Sequence, residues 1–157
     1  MARTLIAGFG NVLRGDDGFG VEVVHRLGDL VEMQGRADVA MMEVGTGGIH
    51  LAQELLGGYE RLIIVDAMTR GGPPGSVYVV EVDGVEAAER VDMHLTIPAA
   101  ALSVAKALGV LPPRVFMVGC EPEQVDDMVM GLTTPVQTAV DSAILRIREL
   151  LNGRGTQ

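Results

Sequence analysis

The chain has 157 residues, 48% of them apolar, enough to bury one substantial core, and one α/β domain over residues 1–151 with a flexible tail at 152–157 is expected. Its 21 acidic residues against 12 basic ones give a formal net charge of −9, which excludes a nucleic-acid surface and an anionic membrane as natural partners. The single cysteine, Cys120, forms neither an internal disulfide nor a thiolate metal site alone, and the N-terminal apolar run breaks at glycines too early for a signal or a span. A cytoplasmic monomer is therefore expected.

Three apolar runs, "TLIAGF" from Thr4, "RLIIVDA" from Arg61 and "RVFMVGC" from Arg114, have the length and β-branched content of strands covered on both faces, as in a parallel sheet. "ADVAMMEV" from Ala37 is a weaker fourth. Amphipathic stretches separate them. "GFGVEVVHRLGDL" carries Val21, Val24, Leu27 and Leu30 on one stripe, and "IHLAQELLGGY" carries Ile49, Ala52, Leu55 and Leu56. "GGPPGSVYVVEV" breaks the rhythm, because its Gly-Pro turn leads into a strand with no helix before it; such a strand runs antiparallel to its predecessor if the two are neighbours. "AAALSVAKALG" reads as a helix closed by Gly109. The last helix starts at Thr134 as cap with Pro135 in the first helical position, and turns Val136, Val140, Ala143, Ile144, Ile147 and Leu150 to the core. The pattern predicts a three-layer sandwich: a twisted, mostly parallel sheet of about five strands with one antiparallel strand, and helices on both faces.

The chemistry begins in "AGFGNVLRGDDGFG", residues 7–20. Gly8 and Gly10 open a dinucleotide fingerprint, but its third glycine is Leu13, and no Gly-Lys-Ser/Thr follows for a Walker loop. Asp16 and Asp17 add two negative charges where a phosphate would sit, and a like-charge contact at about 4 Å costs about 1 kcal/mol or more. Carboxylates on a glycine-flanked loop at a strand end suit a cation. "IIVDA" places Asp66 at the end of a second strand, on the sheet edge where α/β ligand sites lie. Of the three histidines, His25 belongs to the surface of the first helix, and His50, four residues before Glu54, suits a solvated pair. His94, in "VDMHLTIP", lies on a loop before a helix signalled by Thr96 and Pro98.

"GFGNVLRGDDGFG", of the form G-x-G-N-x-L-x-x-D-[D/E]-G-x-G, followed by "IIVDA" and an isolated loop histidine, resembles the hydrogenase maturation proteases over residues 3 to 150. These endopeptidases trim the C-terminal extension from the large subunit of nickel–iron hydrogenases. The resemblance implies a metal-dependent peptidase acting on the large-subunit precursor, with Asp17, Asp66 and His94 as metal and catalytic residues. It further implies that the nickel arrives with the precursor and that other divalent metals can substitute in vitro. Asp17 stands where the family commonly has Glu, one methylene longer, so the loop must come closer or a water must intervene. Asp16 shapes the loop by accepting backbone amides. Asp16, Glu43, Gly45 and Thr46 are cleft candidates; "EVGTGG" resembles the family's glycine-threonine loop, with Glu43 as a substrate-recognition acid.

Three other features have two readings each. Cys120 is either a nucleophile paired with His94 or a small buried residue. The acidic stretch "EPEQVDD", residues 121 to 127, is either solvated surface or a contact for a basic C-terminal extension. Met41, Met42, Met128 and Met130 are packing residues, with Met128 and Met130 also suited to an adaptable protein-contact surface. Two further functions remain open at this point: a non-cleaving docking or chaperone-like factor using the same three ligands, and a doubly wound nucleotide-binding module.

Overall fold

The structure, a computed structural model, describes residues 3–46, 48–82 and 96–153. Five strands form one sheet: β1 (Thr4–Phe9), β2 (Val39–Gly45), β3 (Arg61–Ala67), β4 (Val77–Val82) and β5 (Arg114–Cys120), in the order β2-β1-β3-β5-β4. The first four in that order run parallel, and β4 lies antiparallel against β5 at the edge. Among the described residues, four α-helices cover the sheet: α1 (Phe19–Gly28), α2 (Ile49–Leu55), α3 (Thr96–Ala107) and α4 (Thr134–Leu151).

The alternation of side chains along the central strands sorts the core into two layers. Ile6, Ile63, Val65, Phe116 and Val118 meet α1 and α4, while Leu5, Ala7, Leu62, Ile64 and Met117 meet α2 and α3. Both faces are therefore covered, which is why β1, β3 and β5 read as continuous apolar runs rather than alternating ones. α4 buries all six positions assigned to it, but the chain enters one residue earlier than expected. Thr133 is the cap residue, Thr134 opens the helix, and Pro135 falls within its first turn.

Besides the cap, two helix stripes need correction, and the place of β4, which the sequence left open, is fixed. β4 does turn out antiparallel, but its neighbour is β5, not its predecessor β3: residues 68–76 cross the carboxyl end of β5, two strand spacings of about 4.8 Å each, and start β4 opposite Cys120. In α1 the buried residues are Val23, Val24 and Leu27 together with Phe19; Val21 turns away from the core. In α2 Leu51 is buried instead of Ile49, and Leu56 lies in solvent beyond the helix.

The entry to α1 is tighter than side chains allow. A Cβ on Gly20 would collide with the carbonyl of Val65 and the carbonyl of Phe9, both backbone atoms that cannot swing aside. Gly20 thus lets the first turn of α1 rest directly on the ends of β1 and β3, bringing the Gly15–Gly18 turn to the strand that carries Asp66.

Candidate active site

The site grows from the carboxyl end of β1. Past Phe9 the chain leaves the sheet at Gly10, whose φ of +124° is a conformation that L side chains rarely adopt. A Cβ there would overlap the Asp17 carbonyl and lie 3.6 Å from Asp66 Oδ1. Gly10 is the point where the two candidate carboxylate residues draw together, from sequence positions 49 apart. The chain then turns on Asn11, whose side-chain oxygen accepts the Leu13 amide at 2.9 Å, and Asn11's own amide donates to Asp17 Oδ2 at 2.9 Å. Asn11 therefore fixes the turn and one oxygen of Asp17 together, a role that a residue-type reading of the motif missed.

Asp66 is buried at 7% exposure, on the penultimate position of β3 opposite Gly119, and its Oδ1 accepts the Ala67 amide at 2.8 Å. By strand alternation it faces the same side as Ile64, the side covered by α2 and α3. Asp17 is half-buried, and among the described residues Oδ1 accepts no hydrogen bond. His94 lies outside the described residues. Among those described, no three His, Cys, Asp or Glu side chains gather as a metal group.

Asp16 does something different from its neighbour. It has no exposed surface, and its carboxylate accepts four hydrogen bonds from across the chain: Oδ2 takes the Glu123 amide, the Gln124 amide and the Thr133 hydroxyl at 2.8–2.9 Å, and Oδ1 takes the Thr133 amide at 2.7 Å. The Asp16 amide in turn donates to the Gln124 carbonyl, and Gly15 donates to Val129. This buried carboxylate ties the turn that presents Asp17 to the loop between β5 and α4.

A cleft of about 350 Å³ opens beside Gly10, between the Asn11–Leu13 turn and the end of β2, and Glu43, Gly45 and Thr46 all line it. Val21, the residue turned away from the core, lines it as well. A β-bulge at the end of β2, where Gly8 pairs with Glu43 but Phe9 pairs with Gly45, falls where Glu43 and Gly45 line the cleft. Glu43 is exposed and meets His25 Nδ1 at 3.4 Å, and His25 also lies 3.9 Å from Asp29. His25 and His50 are both on the surface.

Cys120 is fully buried, and desolvation, followed by the nearby negative charges of Asp16 and Glu121, pushes its thiol up to about 12. A thiol held that high carries almost no thiolate at neutral pH, so Cys120 packs as a small apolar residue and the nucleophile reading falls away. Glu121 also departs from the sequence reading, which grouped it with a solvated acidic stretch. It is buried at 4% exposure, and its Oε1 accepts the Arg70 amide, the Gly72 amide and the Tyr78 hydroxyl at 2.8–3.0 Å. Burial alone would raise this carboxyl, but the Arg70 amide, the Tyr78 hydroxyl and the amides of Gly72 and Gly71 outweigh it and hold the group below its ordinary 4.5. Glu121 thereby pins the crossover that follows Asp66.

A depressed carboxyl contributes stability that is present above the unfolded value and lost as pH falls through the folded one. The wild type should therefore lose stability as the medium is acidified below the ordinary glutamate value of 4.5. Glu121→Gln, which keeps an acceptor oxygen for the three donors but cannot titrate, should show a shallower loss, read by urea unfolding at a series of pH values. Equal slopes for the two proteins would refute this assignment.

An α/β sandwich with two acidic residues at the carboxyl edge of its sheet, beside an open cleft, suits a protein acting on a cationic or peptide ligand better than one binding a nucleotide's phosphates. The comparisons with known proteins agree. The family model described as hydrogenase maturation protease matches residues 21–149. The hydrogenase expression/formation protein HupD of Rhizobium leguminosarum bv. viciae is 35% identical over 145 residues, covering 90% of this chain and 70% of that protein. HupD of Rhodobacter capsulatus is 34% identical over 152 residues, covering 94% and 71%. Among solved structures, the hydrogenase maturating endopeptidase HybD from E. coli superposes with a TM-score of 0.82 at 25% identity, covering 98% of this chain and 94% of that one. The chain belongs to the hydrogenase maturation protease family, a family of peptidases, and the nucleotide-binding reading is set aside. No described helix is long and apolar enough to cross a membrane.

Proposed function

We propose that this protein is the endopeptidase that removes the C-terminal extension from the large-subunit precursor of a nickel–iron hydrogenase once nickel has been inserted. The observation that carries this reading is the approach of Asp17 and Asp66 around Gly10, a residue that also lines the 350 Å³ cleft. Two hard oxygen donors make an incomplete site, which suits a metal delivered with the substrate better than a resident ion. His94 supplies the third ligand in this proposal. It stands two residues before α3 in the sequence, and α3 packs on the face of the sheet toward which Asp66 points.

Nickel carried by the precursor would polarise the scissile carbonyl or acidify a water beside it. The protein's own groups do the rest. Asn11 holds Asp17 through its amide, Glu121 holds the crossover that follows Asp66, and the cleft between the Asn11 turn and Glu43, Gly45 and Thr46 receives the extended chain. Glu43 places a negative charge on the cleft wall where a basic side chain of the precursor can approach. The test is incubation of the protein with nickel-loaded precursor, read by mass spectrometry. Loss of one C-terminal peptide, abolished in His94→Ala, is the expected result; tight association with no loss of mass would instead indicate a docking factor.

A further inference from the structure

One apolar surface extends beyond the cleft described so far. Met128, Val129 and Met130 expose 73%, 48% and 75% of their surface, and Val12 and Leu13 expose 43% and 45%. The two segments lie side by side, because Gly15 donates to the Val129 carbonyl and Arg14 Nε donates to the Val125 carbonyl at 3.1 Å. Val12 joins this surface to the cleft: it lines both the cleft and a second, smaller hollow of about 140 Å³ formed with Gly131 and Leu132. Exposed Glu123, Asp126 and Asp127 stand just before the methionines on the same loop.

We infer that this surface is a docking site for the precursor outside the scissile segment, and that it takes a stretch with two or three apolar side chains flanked by lysine or arginine. The inference rests on the proposed function for the identity of the partner. Its chemistry rests on the surface itself. A pair of flexible thioethers packs against varied apolar side chains, and the acids beside it select for positive charge. A second copy of this chain is a poor occupant, because a two-fold contact through the same patch brings Glu123, Asp126 and Asp127 against their own copies. An anionic lipid surface meets the same repulsion from a chain of net charge −9. Buried Asp16 holds the loop from beneath and exposed Arg14 ties it at the surface, so the patch is presented on a fixed base beside Asp17.

The experiment compares the wild type with Met128→Ser/Met130→Ser and with Asp126→Asn/Asp127→Asn, all checked for folding by circular dichroism, on nickel-loaded large-subunit precursor. The methionine variant should raise KM about tenfold at near-constant kcat, the split expected when binding is lost without loss of chemistry. The aspartate variant should raise KM by a smaller factor and flatten its dependence on salt. Unchanged KM in both would overturn the inference while leaving the proposed function standing. If the wild type does not cleave, the proposed function fails, and calorimetric titration of the same precursor still decides: weaker binding by the methionine variant upholds the dock, and equal binding removes it. Wild-type self-association in sedimentation that disappears in the methionine variant would reassign the patch to pairing between copies.

Discussion

Asp16→Ala is expected to cost about 3 kcal/mol of stability or more, a large share of the roughly 5–15 kcal/mol that holds a typical domain together. The substitution removes one fully buried carboxylate and strands four donors at once: the amides of Glu123, Gln124 and Thr133 and the Thr133 hydroxyl. Hydrogen bonds to a charged acceptor contribute about 1.5–3 kcal/mol each, and water reaching the opened loop recovers part of the loss. Asp16→Asn should cost less. Its single carbonyl oxygen can take the place of Oδ2, which accepts three of the four bonds, but its amide group then faces the Thr133 N–H, donor against donor. Urea unfolding of the three proteins gives the order wild type, Asn, Ala. An alanine variant as stable as the wild type would show that the loop between β5 and α4 does not depend on this strut.

Asp66→Asn and Asp17→Asn are expected to leave the fold in place and remove processing, by a factor of about 10³ or more in kcat/KM if each carboxylate stabilises charge in the reaction. The isosteric amide can still accept the Ala67 amide in one case and the Asn11 amide in the other, so the local backbone bonds survive. On the proposed function, what is lost is the negative charge offered to the precursor's nickel. Asp17→Glu is the informative control. It restores the longer acid common in the family, and Asp17 is only half-buried, so the extra methylene has room. Processing should persist in that variant. A normal rate in Asp66→Asn would remove Asp66 from the chemistry and with it the paired-carboxylate account.

The layered fold was legible because the buried strands announce themselves as uninterrupted apolar runs, and a strand end followed by Asp is visible in "IIVDA". The neighbour of β4 was not legible. A short link shows only that the chain turns back, and whether β5 slides between β3 and β4 depends on pairings made later in the chain. In α1 Val23 is buried in place of Val21, while Gly20 seats the first turn against the carbonyls of Val65 and Phe9, a close approach that a periodicity reading takes no account of. In α2 the stripe was misjudged because Ile49 opens the helix, where its side chain clears the sheet.

The site divides in the same way. Asp17 and Asp66 could be picked out by type and by position at strand ends. That Asp16 accepts backbone amides was legible too; which amides it accepts, and the task of Glu121, were not, since the partners lie 107 to 117 residues away in one case and 43 to 51 in the other. An acid in an acidic stretch looks solvated until the fold encloses it, as Glu121 shows. Met128 and Met130 carried both readings in sequence, and their exposure removes the core-packing one.

The measurement that bears most directly on the proposed function is a mass assay of purified protein with large-subunit precursor, prepared with and without inserted nickel. The account predicts loss of a C-terminal peptide from the nickel-loaded precursor alone, and no loss with Asp66→Asn. Equal cleavage of nickel-free precursor would contradict it, because the carboxylates around Gly10 would then have no metal to read.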